Sequence, residues 1–102
     1  MDSDTYTVGV WNVKPGKEQE FIAAWKALGE FFYSLPKPPG PGTLVQSLDD
    51  SKQFYSFGPW RTLEDIQAMR ADPRTPEMIG GLVALCEIAK PGAFRVVARV
   101  GS

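Results

Sequence analysis

The chain has 102 residues, with 11 Lys and Arg against 12 Asp and Glu, one cysteine and no histidine. This length predicts one domain over residues 1–102. The balanced charge argues against a nucleic-acid partner, because such binders carry a basic excess. The lack of histidine excludes a nucleophile–histidine pair, and with Cys86 alone it argues against a zinc site. No apolar run approaches the roughly 18–20 residues of a membrane span, and the acidic start has no signal-peptide pattern. A cytoplasmic protein without membrane contact is therefore expected.

The first third of the chain alternates between two periodicities. Thr5–Val13 alternates with a period of two, which predicts a strand with apolar side chains on both faces. A helical period then extends from Lys17 to Leu35, with an apolar stripe on one side. The proline at position 36 ends this helix. The segment Pro36–Gly42 holds four prolines and is predicted to be a stiff connector.

A hairpin is predicted in the middle of the chain. Thr43–Leu48 and Gln53–Trp60 have strand patterns, and Asp49–Lys52 between them has turn residues. Thr62 follows at once as a helix N-cap, with Asp65 three positions later.

The last third is predicted to hold a broken helical segment and a final strand. Asp72–Pro73 ends the helix that Thr62 caps. A second helix begins near Thr75 and carries Cys86 on its apolar face as an inert core residue. Pro91–Gly92 has a turn pattern, and Ala93–Val100 alternates as a strand.

This order predicts an α+β fold of the ferredoxin-like βαββαβ kind, with an antiparallel sheet and helices on one face. The third strand bears large apolar groups on both sides, since Phe54 and Trp60 alternate with Tyr55 and Phe57. An exposed apolar sheet face of this size is typical of an interface. The sequence therefore predicts a homodimer that packs through this face.

Three segments resemble the antibiotic biosynthesis monooxygenase-like group of dimeric α+β barrel proteins. They are Val13–Glu18 with the Phe- and Trp-bearing helix after it, the hairpin Gly42–Trp60, and the strand-ending Trp60 followed by a capped helix. The resemblance implies a cofactor-free oxygenase of polycyclic phenolic or quinone-type compounds. Haem-degrading relatives use Asn, Trp and His at positions that fall here on Gly9, Met69 and Ile79. None of the three matches, so haem degradation is disfavoured.

An oxygenase without a cofactor needs a dry pocket with aromatic walls and a few polar groups. The candidate pocket residues, with a small aromatic molecule as the expected ligand, are Trp25, Tyr33, Trp60, Met69 and Arg95. Several of them also fit a purely structural role, such as core packing for Trp25 and a solvated or interface-edge position for Arg95. No catalytic residue is identified, because a base would have to be a carboxylate or a tyrosine. No cofactor and no metal are expected.

Three functions compete at this point. The first is a cofactor-independent monooxygenase acting on small or polycyclic electron-rich aromatics of the phenol or quinol type. The second is a non-enzymatic protein on the same dimeric scaffold that binds or senses a small molecule. The third is another reaction, such as that of an isomerase or a decyclase. Oxygen uptake, binding without turnover and turnover without oxygen would distinguish the three.

Overall fold

The computed structural model describes residues 4–101 of the chain. In chain order the elements are β1 (Thr5–Val13), α1 (Glu18–Tyr33), β2 (Thr43–Gln46), β3 (Gln53–Trp60), α2 (Leu63–Ala71), α3 (Arg74–Val83) and β4 (Cys86–Arg95). The strands form one antiparallel sheet in the order β2-β3-β1-β4. The predicted α+β class and ferredoxin-like order are confirmed, with the second helical segment divided into α2 and α3.

The helices pack on one face of this sheet, called here the inner face. Trp11 and Val13 of β1 and Phe54 of β3 are buried there against Phe21 and Leu28 of α1. The helical period of α1 puts Phe21 and Leu28 seven residues apart, so both lie on the side that meets the sheet. A smaller cluster of Trp60, Ile66 and Met69 closes the end of the sheet beside α2.

The N-cap of α2 is confirmed in detail. The hydroxyl of Thr62 accepts a hydrogen bond of 3.1 Å from the backbone N–H of Asp65. This bond satisfies one of the N–H groups that a helix start leaves without a partner. Because β3 ends at Trp60, the cap fixes the direction in which α2 leaves the sheet.

The prediction for the last strand was wrong in its position. The strand spans Cys86–Arg95 rather than Ala93–Val100, so Cys86 lies on a strand and Pro91–Gly92 is not a turn. β4 is an edge strand, and there a proline can leave its missing N–H on the unpaired side. The strand ends at Arg95 because its partner residue, Thr5, is the first residue of β1.

The other face of the sheet, called here the outer face, is rich in apolar side chains that no described helix covers. Tyr55 and Phe57 of β3 are exposed, as are Val45 of β2 and Ile88 and Phe94 of β4. The alternation predicted for the third strand is therefore confirmed.

Within residues 4–101, no helix is long and apolar enough to cross a membrane.

Candidate functional site

A cavity of about 470 Å³ lies between the inner face of the sheet and the helices. Its walls come from the C-terminal half of α1, from α2 and α3, and from the proline-rich connector at residues 36–42. Pockets for small molecules in proteins occupy roughly 300–1,000 Å³, so this cavity has room for a polycyclic ligand. The cavity is the candidate site.

The floor of the cavity is formed by small residues of β1 and β3. Gly9 and Ser56 pair across these strands, as do Thr7 and Gly58. A β-carbon at position 9 would lie 2.5 Å from Nε1 of Trp11, so the indole of Trp11 lies directly over this glycine. A side chain larger than hydrogen would therefore displace the indole. Because Gly9 leaves room for this indole against β1, the space between the sheet and α1 stays open.

Gly58 is the second glycine of the floor, and its neighbour is the proline-rich connector rather than Trp11. A β-carbon at this position would lie 3.3 Å from Cα of Gly42, at the end of the proline-rich connector. The backbone N–H of Gly40 in this connector donates a 2.9 Å hydrogen bond to the carbonyl of Pro59. The connector therefore lies close against β3 and forms one wall of the cavity, as its predicted stiffness would favour.

Two indole groups are hydrogen-bonded to the floor. Nε1 of Trp11 donates to Oγ of Ser56 at 3.0 Å, and Nε1 of Trp60 donates to Oγ1 of Thr7 at 3.0 Å. A hydroxyl that accepts one hydrogen bond still has its own O–H to donate. Ser56 and Thr7 both line the cavity, so the floor presents two hydroxyl donors whose positions are fixed by buried indoles.

The walls are aromatic. Trp25, Phe32 and Tyr33 of α1 line the cavity opposite the sheet. The ring of Phe32 meets that of Trp60 edge-on, with centroids 5.3 Å apart and planes inclined by 69°. Such a pair is rigid and apolar, which suits the binding of a flat aromatic ligand.

Charged side chains occur only among the exposed lining residues. Lys26 and Glu30 of α1 and Arg70 of α2 line the cavity and are exposed to solvent, and the exposed Tyr33 lies on the same helix. The apolar interior of the cavity therefore opens to solvent through a mouth that carries two cations and one carboxylate.

Four of the five residues predicted for the pocket are brought together by the fold. Trp25, Tyr33, Trp60 and Met69 all line the cavity. Arg95 does not, because it lies exposed at the last position of β4, where it pairs with Thr5. The ligand-binding role of the four lining residues stays a prediction.

The hydroxyl donors on the floor, Ser56 and Thr7, were not predicted from the sequence. Ser56 interrupts an otherwise apolar alternation on the buried side of β3, between Phe54 and Trp60, and this interruption was a signal. Thr7 gave no such signal, because threonine is an ordinary strand residue. Its role becomes visible only when Trp60 is seen to bond to it.

The strongest perturbations of titratable groups lie outside the cavity. Hydrogen bonds from the Arg74 side chain and backbone lower the pKa of Asp72 from 3.8 to about 2. This pair joins the end of α2 to the start of α3, where Nη2 of Arg74 is 2.7 Å from Oδ2 of Asp72. Burial raises the pKa of the Cys86 thiol, and the nearby charge of Lys14 partly opposes the change. Neither Asp72 nor Cys86 lines the cavity, so neither is assigned to the candidate site.

Comparison by sequence found no match, either to a family model or to a curated protein. Comparison by structure found SnoaB, a cofactor-independent oxygenase from Streptomyces nogalater, with a TM-score of 0.84 over 99% of this chain and 100% of that one, at 19% identity. The chain has the antibiotic biosynthesis monooxygenase-like fold.

Two further structures support this fold assignment. A protein from Bordetella bronchiseptica, named as a candidate antibiotic biosynthesis monooxygenase, has a TM-score of 0.77 at 14% identity, over 95% of this chain and 100% of that one. A conserved protein from Methanosarcina mazei has a TM-score of 0.75 at 21% identity, over 91% and 92%. At these identities the likeness concerns the fold, which confirms the family resemblance at that level. Function has to be argued from the site.

Proposed function

We propose that the chain is a cofactor-independent monooxygenase of small or polycyclic electron-rich aromatics of the phenol or quinol type. The observation that carries the proposal is the aromatic-walled cavity with the hydroxyls of Ser56 and Thr7 on its floor. The fold shared with SnoaB, itself a cofactor-independent oxygenase, adds support.

The reaction needs no reductant, because the substrate can supply all four electrons. Oxidation of a ring methylene by dioxygen turns CH₂ and O₂ into C=O and H₂O, which balances in atoms and electrons. The substrate first loses a proton to give a delocalised carbanion or phenolate. This anion transfers one electron to dioxygen, the two radicals combine to a peroxide, and loss of water leaves the carbonyl.

The protein's part in this reaction is to hold the ring, exclude water and stabilise negative charge. The aromatic walls orient a flat substrate and keep the site dry, which favours electron transfer within a fixed pair. The O–H groups of Ser56 and Thr7 can donate to the oxygen on which charge develops. Among the lining residues, Glu30 and Tyr33 are the groups able to take the substrate proton.

The proposal includes a homodimer in which two outer faces pack together. Five exposed apolar side chains on this face would leave water on association, and a two-fold axis lets one surface cover its own copy. The substitution Tyr55→Lys is expected to shift light scattering from the dimer mass to the monomer mass. Leu48→Lys adds the same charge at an exposed turn position and should leave the dimer intact. A wild-type monomer at micromolar concentration would contradict the dimer.

Oxygen uptake tests the activity. The purified protein, treated with a chelator and free of added flavin, is given a panel of anthrones, quinols and hydroxy-aromatics in an oxygen electrode. We expect uptake above both the protein-free rate and the rate with heat-unfolded protein. Ser56→Ala should lower kcat by about 100- to 1,000-fold, since one oxyanion donor is removed.

Ser51→Ala is the matched control, because Ser51 is exposed in the hairpin turn and does not line the cavity. Equal activity of Ser56→Ala and Ser51→Ala would contradict the role of the floor hydroxyl. Saturable binding of panel members without any uptake would favour the non-enzymatic binding protein instead.

A further inference from the structure

We propose that the mouth of the cavity recognises an anionic group, a carboxylate in the simplest case, at one end of the aromatic ligand. Lys26 of α1 and Arg70 of α2 are the residues that would contact it. This inference rests on the proposed function, because it takes the cavity to be the ligand site. It adds the class of substrate, an aromatic acid, and the two side chains that select it.

The charge at the mouth is opposite in sign to that of the chain. The whole chain has a net charge of −1, whereas the charged lining residues are two cations and one carboxylate. Lys26 and Arg70 come from different helices and yet line the same cavity. The carboxylate of Glu30 offsets one of the two cations, so the mouth keeps an excess of one positive charge, and apolar walls strengthen the attraction of this excess for an anionic group.

Neither cation forms an ion pair or a side-chain hydrogen bond with another described residue. Within residues 4–101, the ion pairs that form involve Lys17, Lys52, Arg74 and Arg99, and none includes Lys26 or Arg70. Glu30 stands four residues after Lys26, the spacing at which helical ion pairs form, but the two do not come within 4.0 Å. The donors of both cations are therefore available to a ligand.

The contrast with Arg74 shows what a structural arginine looks like in this chain. Arg74 makes two side-chain hydrogen bonds to Asp72, and its guanidinium lies 4.9 Å from the ring centroid of Phe31. Arg70 makes no comparable contact among the described residues. Its place in the last turn of α2 favours a cation because of the helix dipole. That explanation does not extend to Lys26, which lies in the middle of α1.

The test compares two ligands of the same shape, anthraquinone-2-carboxylate and anthraquinone-2-carboxamide. Neither can be oxidised at a ring methylene, so binding is measured without turnover. Quenching of tryptophan fluorescence at low salt gives both dissociation constants. We expect the carboxylate to bind about tenfold more tightly than the amide, and the preference to fall as salt is added.

Two variants locate the effect. Arg70→Gln and Lys26→Gln should each reduce the preference for the carboxylate several-fold and leave binding of the amide unchanged. Arg61→Gln removes the same charge from an exposed residue that does not line the cavity, and it should keep the wild-type preference.

The possible results separate this inference from the proposed function. Equal binding of the two ligands by the wild-type protein, or a preference that survives both substitutions at the mouth, would overturn the inference and leave the cavity as the ligand site. Failure of both ligands to bind would overturn the cavity as an aromatic site and this inference with it.

Discussion

Replacing Gly9 with alanine tests whether the cavity floor depends on the contact between Trp11 and the bare backbone of β1. The added β-carbon would lie 2.5–2.6 Å from three atoms of the Trp11 indole, which is far inside van der Waals contact. Trp11 is only 3% exposed, so its ring cannot move into solvent without losing its packing. We expect the ring to tilt into the cavity and to break its hydrogen bond to Ser56.

The magnitude follows from three contributions. Overpacking a buried site reduces stability by about 1–3 kcal/mol. Loss of the Trp11–Ser56 hydrogen bond removes about 0.5–1.5 kcal/mol more. Alanine restricts the unfolded chain relative to glycine, which returns about 0.5–1 kcal/mol. The free energy of unfolding should therefore fall by roughly 1–3 kcal/mol, and ligand affinity should fall with the lost cavity volume.

Urea denaturation followed by circular dichroism measures this change, at one protein concentration because a dimer's stability depends on concentration. Gly80→Ala is the matched control. Apart from the adjacent residues and the backbone of α3 itself, no atom lies within 4 Å of a β-carbon at position 80, so alanine should raise the stability of α3 by about 0.5–1 kcal/mol. A Gly9→Ala variant as stable as the Gly80→Ala variant, with unchanged ligand binding, would refute the reasoning.

Three further predictions concern the surroundings of the cavity. In urea denaturation, Trp60→Phe should lower the free energy of unfolding by about 1 kcal/mol, because Thr7 loses its indole donor. Trp60→Ala should lower it by about 3–5 kcal/mol, because the whole buried ring is lost. Equal losses in the two variants would contradict the hydrogen bond. The pKa of Asp72 is lowered, so the stability it contributes is present above about pH 4 and disappears as the pH falls towards 2. In an NMR titration Arg74→Gln should return this pKa towards 3.8, and an unchanged value would contradict the assigned cause. The thiol of Cys86 should react with a disulfide reagent at pH 8 only after unfolding, since burial raises its pKa, and rapid reaction of the native protein would contradict this.

Much of the fold could be predicted because its signals are local. The alternation of Thr5–Val13 and the Thr62 cap appear in the structure where the sequence puts them. The position of β4 could not be predicted, because Pro91–Gly92 has the pattern of a turn when considered alone. Only the pairing with β1, which opposes Gly9 to Pro91 at the sheet edge, explains why the strand continues through them.

The candidate site, like the fold, could be predicted from the sequence only in part. Aromatic walls such as Trp25 and Trp60 could be predicted, because large side chains at helical or strand spacing must lie on a buried side. The floor could not be predicted, because only the register of β1 against β3 places Gly9 opposite Ser56. Arg95 was predicted to line the pocket and does not, because the end of the sheet cannot be located from the sequence alone.

Isotope labelling of the reaction tests the central claim most directly. The chelator-treated protein is incubated under ¹⁸O₂ with the anthrones and quinols of the uptake panel, and the products are examined by mass spectrometry. A cofactor-free monooxygenase predicts one ¹⁸O atom in the product and the other in water, at a rate that requires folded protein. Product oxygen drawn from water, or no product from any member of the panel beyond the protein-free rate, would contradict the account.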